Sequence, residues 1–158
     1  MHKRETKYLQ RAIDLAAHHS RDGRHGPFGA VIVKEDEVVA EGWNGVVDGI
    51  DPTAHAEIQA IRAAAKKLNT HDLSGCTIYA SCEPCPMCLA AIYWARIDRV
   101  VYAATKEDAA AVGFDDSLLY EEMRKPWTVR TLQSEQALQE KAVEMMNSWV
   151  ENPDKIEY

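Results

Sequence analysis

Near the start of the chain apolar residues recur at helical spacing. Tyr8, Leu9, Ala12, Ile13, Leu15 and Ala16 line one side, and Arg4, Glu5, Lys7, Arg11 and Asp14 occupy the other. An amphipathic helix is predicted there. After the stretch 20–26, with an aspartate, two glycines and charges, and Pro27-Phe28-Gly29, the period changes. The β-branched run 30–33, the polar turn Glu35-Asp36-Glu37 and the run 38–43 read as a β-hairpin. Asp51-Pro52-Thr53 then gives a start signal for an alanine-rich helix over 54–67, with Ile58, Ile61, Ala65 and Leu68 as its apolar face. Residues 76–81 read as a buried strand, 86–95 as a helix and 99–103 as a further strand. A strand, helix and strand of these lengths imply a right-handed crossover and a parallel pair. A short helix is predicted over 116–123 and a longer amphipathic one over 134–150, followed by a tail. The fold class is α/β, a mixed sheet flanked by helices.

The chain has 158 residues, enough for one domain with a sizeable core. Its net charge of −7 has the wrong sign for broad attraction to a phosphate backbone, so nucleic acid is a disfavoured partner. The longest apolar run, residues 87–95, is nine residues, against about 18 for a bilayer span. The first residues carry charges throughout and lack the pattern of a secretory signal, so a cytoplasmic location without a membrane anchor is expected. Cys76, Cys82, Cys85 and Cys88 crowd into thirteen positions, which in a reducing compartment suggests metal binding or reactivity ahead of disulfides.

The candidate chemistry lies in His55-Ala56-Glu57 and in Cys85-Pro86-Met87-Cys88, which begins 28 residues beyond Glu57. Cys85 and Cys88, three apart at a helix start, can turn both sulfurs to one ion. The helix N-terminus favours their thiolates, and Pro86 fits a first helical turn. One imidazole and two thiolates suit one Zn²⁺ per subunit with a fourth position open to water, the arrangement of a catalytic site. Glu57, two residues from His55, is poorly placed to join the same shell and suits a proton shuttle. The pattern H-x-E…P-C-x-x-C is the established signature of zinc-dependent base deaminases. An iron–sulfur cluster on Cys82, Cys85 and Cys88 would need a fourth cysteine further along, and there is none. Cys76 and Cys82 then read as buried strand residues or thiols near the site.

These motifs resemble those of the cytidine deaminase-like zinc deaminases, and within them the bacterial guanine deaminases. The residues that carry the resemblance run from Gly26-Pro27-Phe28-Gly29 and Asn44 through Asp51-Pro52-Thr53-Ala54-His55-Ala56-Glu57 to Ser81-Cys82-Glu83-Pro84-Cys85-Pro86-Met87-Cys88 and Ala91-Ile92-Tyr93-Trp94-Ala95-Arg96. Gly113-Phe114-Asp115-Asp116-Ser117 and the terminal Glu157-Tyr158 draw it toward the guanine enzymes. The resemblance implies a three-layer sandwich around a mixed five-stranded sheet, with a deaminase domain over residues 1–149 and a tail over 150–158. It further implies a homodimer that exchanges C-terminal segments, so that the tail closes over a partner's site. The implied reaction is hydrolytic deamination of guanine at C2 to xanthine and ammonia. In it Glu57 is the proton shuttle, Asp116 assists the leaving amine, and Asn44, Phe28, Ala56 and Tyr158 hold the base.

A nucleoside deaminase acting on guanosine or cytidine would use the same metal chemistry with a different pocket. A tRNA adenosine deaminase would need a basic face, whereas Arg124, Lys125 and Arg130 are offset by Glu121, Glu122, Glu135, Glu140 and Glu144. A non-catalytic zinc module would have no need of Glu57. Tyr93 and Trp94 read as core or dimer interface, and His18, His19, His25 and His71 are assigned no role.

Overall fold

The computed structural model describes residues 3–157. The amphipathic start forms helix α1 (Lys3–His19). The hairpin forms strands β1 (Gly29–Lys34) and β2 (Glu37–Trp43), with Glu35 and Asp36 both left-handed in the turn. Helix α2 (Ala56–Leu68), strand β3 (Cys76–Cys82), helix α3 (Pro86–Trp94) and strand β4 (Arg99–Ala104) follow. The sheet order is β2-β1-β3-β4, with β1 antiparallel to both β2 and β3 and the β3–β4 pair parallel. The parallel pair joined through α3 is therefore as the sequence pattern predicts.

Period-two alternation gives the sheet two buried faces. Val31 and Val33 of β1, with Tyr79 of β3, pack against Tyr8, Leu9, Ala12 and Leu15 of α1. On the other face Ala30 and Ile32, with Ala40 and Ile78, meet Ala56, Ala60 and Ala64 of α2 and Ile92 of α3. Three layers result, helix on sheet on helix. The contact stripe of α2 is made of small alanines, while Ile61, Ala65 and Leu68 pack at its side and Ile58 is half-buried.

Gly42 explains that choice. A Cβ at this position would stand 2.2 Å from the Ala56 carbonyl oxygen and 2.6 Å from the Ala60 nitrogen, so β2 and the helix backbone are in direct contact. This close approach sets the N-terminus of α2, and His55 and Glu57 with it, against the end of the sheet. Gly42→Ala meets backbone that no rotamer change can move aside. It is expected to cost about 2–3 kcal/mol, read as a melting temperature lower by about 5–10 °C.

The sheet has four strands among the described residues, not five. Beyond Pro126 the chain makes the 3₁₀ turn Trp127–Val129, and the Glu122 carboxylate accepts from the Thr131 N–H. A helix not anticipated, α4 (Lys106–Ala111), follows β4 directly, started by a capping box between Thr105 and Asp108. Helix α5 (Ser117–Arg124) matches the expected short helix. Helix α6 (Gln139–Glu151) begins later than residue 134, because Leu138 takes a left-handed conformation at its N-cap. The chain divides into two compact units, Met1–Ser117 and Leu118–Tyr158. Among the described residues no helix is long and apolar enough to cross a membrane.

Candidate active site

Two helix N-termini in the first unit hold the predicted ligands. His55 is the N-cap of α2 and Cys85 the N-cap of α3, both with extended backbone, and Pro86 occupies the first helical position of α3. Helix α2 starts at Ala56 and not at residue 54 because the Asp51 side chain accepts from the Thr53 N–H and hydroxyl and closes its own turn. The helix dipoles thus place partial positive charge beside two sulfurs, which favours thiolates.

His55, Cys85 and Cys88 converge as a metal-ligating group, with their donor atoms within 4.8 Å of one another. His55 Nδ1 stands 3.5 Å from the Sγ atoms of both Cys85 and Cys88. Tetrahedral zinc with Zn–S of about 2.3 Å and Zn–N of about 2.0 Å requires an N···S edge of about 3.5 Å, so these residues fit the ion. Without metal the Cys88 thiol, and after it the His55 ring, hold the Cys85 sulfur down at about 4. The Cys88 thiol is pushed up by its bond to Cys85 and by burial. Metal binding takes both sulfurs as thiolates and so releases protons.

Cys82 stays outside this group. Burial, then the Glu57 charge, raises its thiol to about 11, and its Sγ donates to the Thr105 carbonyl at 3.4 Å. Cys76 is fully buried in β3, and all four cysteines are free thiols.

Glu57 is 8% exposed, with Oε2 3.4 Å from Cys88 Sγ. Burial, and then the Cys85 charge, raise its carboxyl above the usual range. A buried carboxyl of raised proton affinity, beside the ligands but outside their shell, is suited to taking and returning a proton near neutral pH.

Asn44, also buried, follows β2. Its Oδ1 accepts from the N–H groups of Gly26 and Val46, both at 3.3 Å, which defines Nδ2 as the donor end of the amide. A Cβ at Gly26 would lie 3.3 Å from both Asn44 Nδ2 and the Phe28 ring, so glycine here lets the two candidate binding residues close together. Phe28 meets Phe114 edge to face at 4.9 Å. Phe114 is a residue that sequence reasoning misses as a packing partner, and its one signal is a place two residues before Asp116. Asp115 takes the turn-closing role, accepting from the Ser117 N–H. The half-buried Asp116 carboxyl is raised first by burial and then by the Cys85 charge. Ala56 is buried at the first turn of α2, where backbone N–H groups lack helical partners. Tyr158 lies outside the described residues.

A sheet between helix layers, with one imidazole and two cysteines at two helix starts and a buried glutamate beside them, defines a zinc-binding deaminase domain. Residues 2–104 match the family model of the cytidine and deoxycytidylate deaminase zinc-binding region, and the chain belongs to that family. It is 49% identical over 151 residues to the guanine deaminase of Bacillus subtilis, covering 96% of this chain and 97% of the relative. The X-ray structure of guanine deaminase from Bacillus subtilis superposes with a TM-score of 0.94 at 47% identity, covering 100% of this chain and 99% of that one. The tRNA-specific adenosine deaminase of Aquifex aeolicus is 47% identical over 78 residues, 49% of this chain and 52% of its own.

Proposed function

We propose that the protein is a zinc-dependent guanine deaminase, converting guanine and water to xanthine and ammonia. The observation that carries this reading is likeness over the whole chain to a guanine deaminase, with the ligand triad and Glu57 assembled in one site. Zinc held by His55, Cys85 and Cys88 supplies Lewis acidity that makes water a nucleophile near neutral pH. Phe28 packs on the face of the base, and the Asn44 amide and the Ala56 N–H fix its edge. Glu57 takes the proton of the attacking water on a carboxylate oxygen and returns it to the ring nitrogen beside C2. Asp116 carries the second proton of the added water from the oxygen now on C2 to the departing amine, so that the C2–N bond breaks, the C2 carbonyl forms and ammonia leaves.

The test is ammonia release by the zinc-loaded protein against guanine, guanosine, cytosine, cytidine and adenine. Turnover of guanine above the others supports the reading. Preference for a nucleoside or for adenine transfers it to the corresponding deaminase.

The protein is further proposed to act in the cytoplasm as a homodimer that exchanges C-terminal segments. Tyr93 and Trp94 of α3 are 76% and 72% exposed, which removes them from the core and leaves an apolar face suited to an interface. No residue of α6 is buried, although Val143, Met146, Trp149 and Val150 are apolar. Residues 150–158 are then the lid of the site, with Tyr158 on the base. Deleting them is expected to lower kcat/KM by about 10-fold or more while moving the melting temperature by less than about 3 °C. Unchanged kinetics would make the segment a plain terminus.

A further inference from the structure

Phe28 and Asn44 sit on two irregular segments that leave the sheet at the same point. The β1–β2 ladder ends at the pair Gly29 and Trp43, and the last backbone tie is Asn44 N–H to the Phe28 carbonyl at 3.2 Å. Trp43 is anchored there by flat stacking on His19 of α1, with ring centroids 3.9 Å apart. Beyond this point the segment from Asn44 folds on itself. Gly49 N–H reaches the Gly45 carbonyl, and Asp51 N–H the Val46 carbonyl. Ile50 is left-handed, a conformation a β-branched residue disfavours, and 91% exposed, so it contributes little that would hold the loop down.

Near its tip the loop is joined to the facing segment by the Asp48 carboxylate. Its Oδ1 accepts from Arg24 Nη2 at 2.8 Å, and its Oδ2 lies 3.2 Å from His25 Nε2. His25 is largely buried, and its other ring nitrogen faces Asp22 Oδ1 at 3.5 Å. Asp22 Oδ1 also accepts from the Arg24 N–H at 3.0 Å, closing that segment into a turn. The next residue, Gly26, gives its N–H to Asn44 Oδ1. Two further side-chain links join the segments: His19, which stacks on Trp43 and meets the His25 ring edge to face at 6.0 Å, at the root of the loop, and Asn44 itself, whose amide must meet the base.

We propose that Asp48 is a positioning residue for the substrate. By gripping Arg24 and His25 it holds the Asn44 loop against the segment carrying Phe28, and so sets the width of the gap that receives the planar base. The proposal rests on the reading of the reaction given above. The Arg24–Asp48 pair is exposed on both sides, and such pairs add little global stability, so the effect of the tie is expected in local order and in substrate affinity.

The test compares zinc-loaded wild type with Asp48→Ala, which removes both contacts, and Asp48→Asn, which keeps an acceptor for Arg24. Amide exchange at Gly26 and Val46, the two donors to Asn44, is expected to quicken by about five- to tenfold in Asp48→Ala, with the amides of β1 and β3 unchanged. KM is expected to rise by about five- to tenfold with kcat within about twofold, and Asp48→Asn to fall between. A general structural defect would instead lower kcat and the melting temperature together. Unchanged exchange at Gly26 and Val46 overturns the tie whatever the substrate, and faster exchange with unchanged KM overturns the positioning role. KM is read on whichever base the wild type deaminates, so failure of guanine as the substrate shows separately, in the unmutated enzyme.

Discussion

Glu57→Gln is expected to lower kcat by about 10²- to 10⁴-fold, the scale of a positioned acid–base group, while zinc content and fold persist. The side chain is buried beside Cys88 and outside the triad of donor atoms, so the amide fits the same space and removes no ligand. A second readout separates catalysis from structure. The Glu57 carboxyl is raised in the folded protein by burial and then by Cys85. Its contribution to stability is therefore fully present below the unfolded-state value and is lost as pH rises through the folded one. In the zinc-free protein the Gln variant should accordingly gain on wild type in melting temperature as pH is raised above the usual carboxylate range. Loss of turnover without loss of stability identifies a proton carrier. Substantial retained turnover in Glu57→Gln would remove Glu57 from that role.

Cys85→Ala is expected to abolish zinc retention and turnover and to destabilise the protein. The variant loses one of three ligands and the sulfur toward which the His55 ring and Cys88 converge. Free zinc at about 100 to 1,000 times its Kd contributes about 2.7–4.1 kcal/mol to the folded state. Losing it should lower the melting temperature by about 6–15 °C, and chelation of wild type should reproduce most of that shift. Metal analysis and thermal melting with and without chelator check both statements. A folded, active and zinc-replete Cys85→Ala protein would contradict the ligand assignment.

Much of the fold and of the metal site is legible in the amino-acid sequence, and for local reasons. The ligand set follows from spacing, since Cys85 and Cys88 are bound to one face of a helix start and Pro86 marks that start. Helix α1, the hairpin and the β3–α3–β4 crossover carry strong periods, and each lies where its pattern predicts. The misses lie where a short or distant contact decides. Helix α4 has six residues, too few for a period, though the Thr105 and Asp108 spacing is a start signal. The fifth strand rests on the family resemblance alone, and no strand pattern beyond residue 104 supports it. His25 shows no role in the sequence because its partner Asp48 is 23 positions away, and the tie between them exists only once the hairpin is folded. Phe114 joins Phe28 across 86 positions, which no local pattern encodes.

The central claim, hydrolytic removal of the guanine 2-amino group by a zinc-loaded protein, is tested most directly by a single-turnover reaction in isotopically labelled water. Guanine, zinc-loaded enzyme and ¹⁸O water are combined, and the purine product and ammonia are analysed by mass spectrometry and enzymatic assay. Xanthine bearing one ¹⁸O, with one ammonia per xanthine and neither formed by the chelated protein, is the predicted result. Guanine recovered intact, or xanthine without the label, would contradict the account.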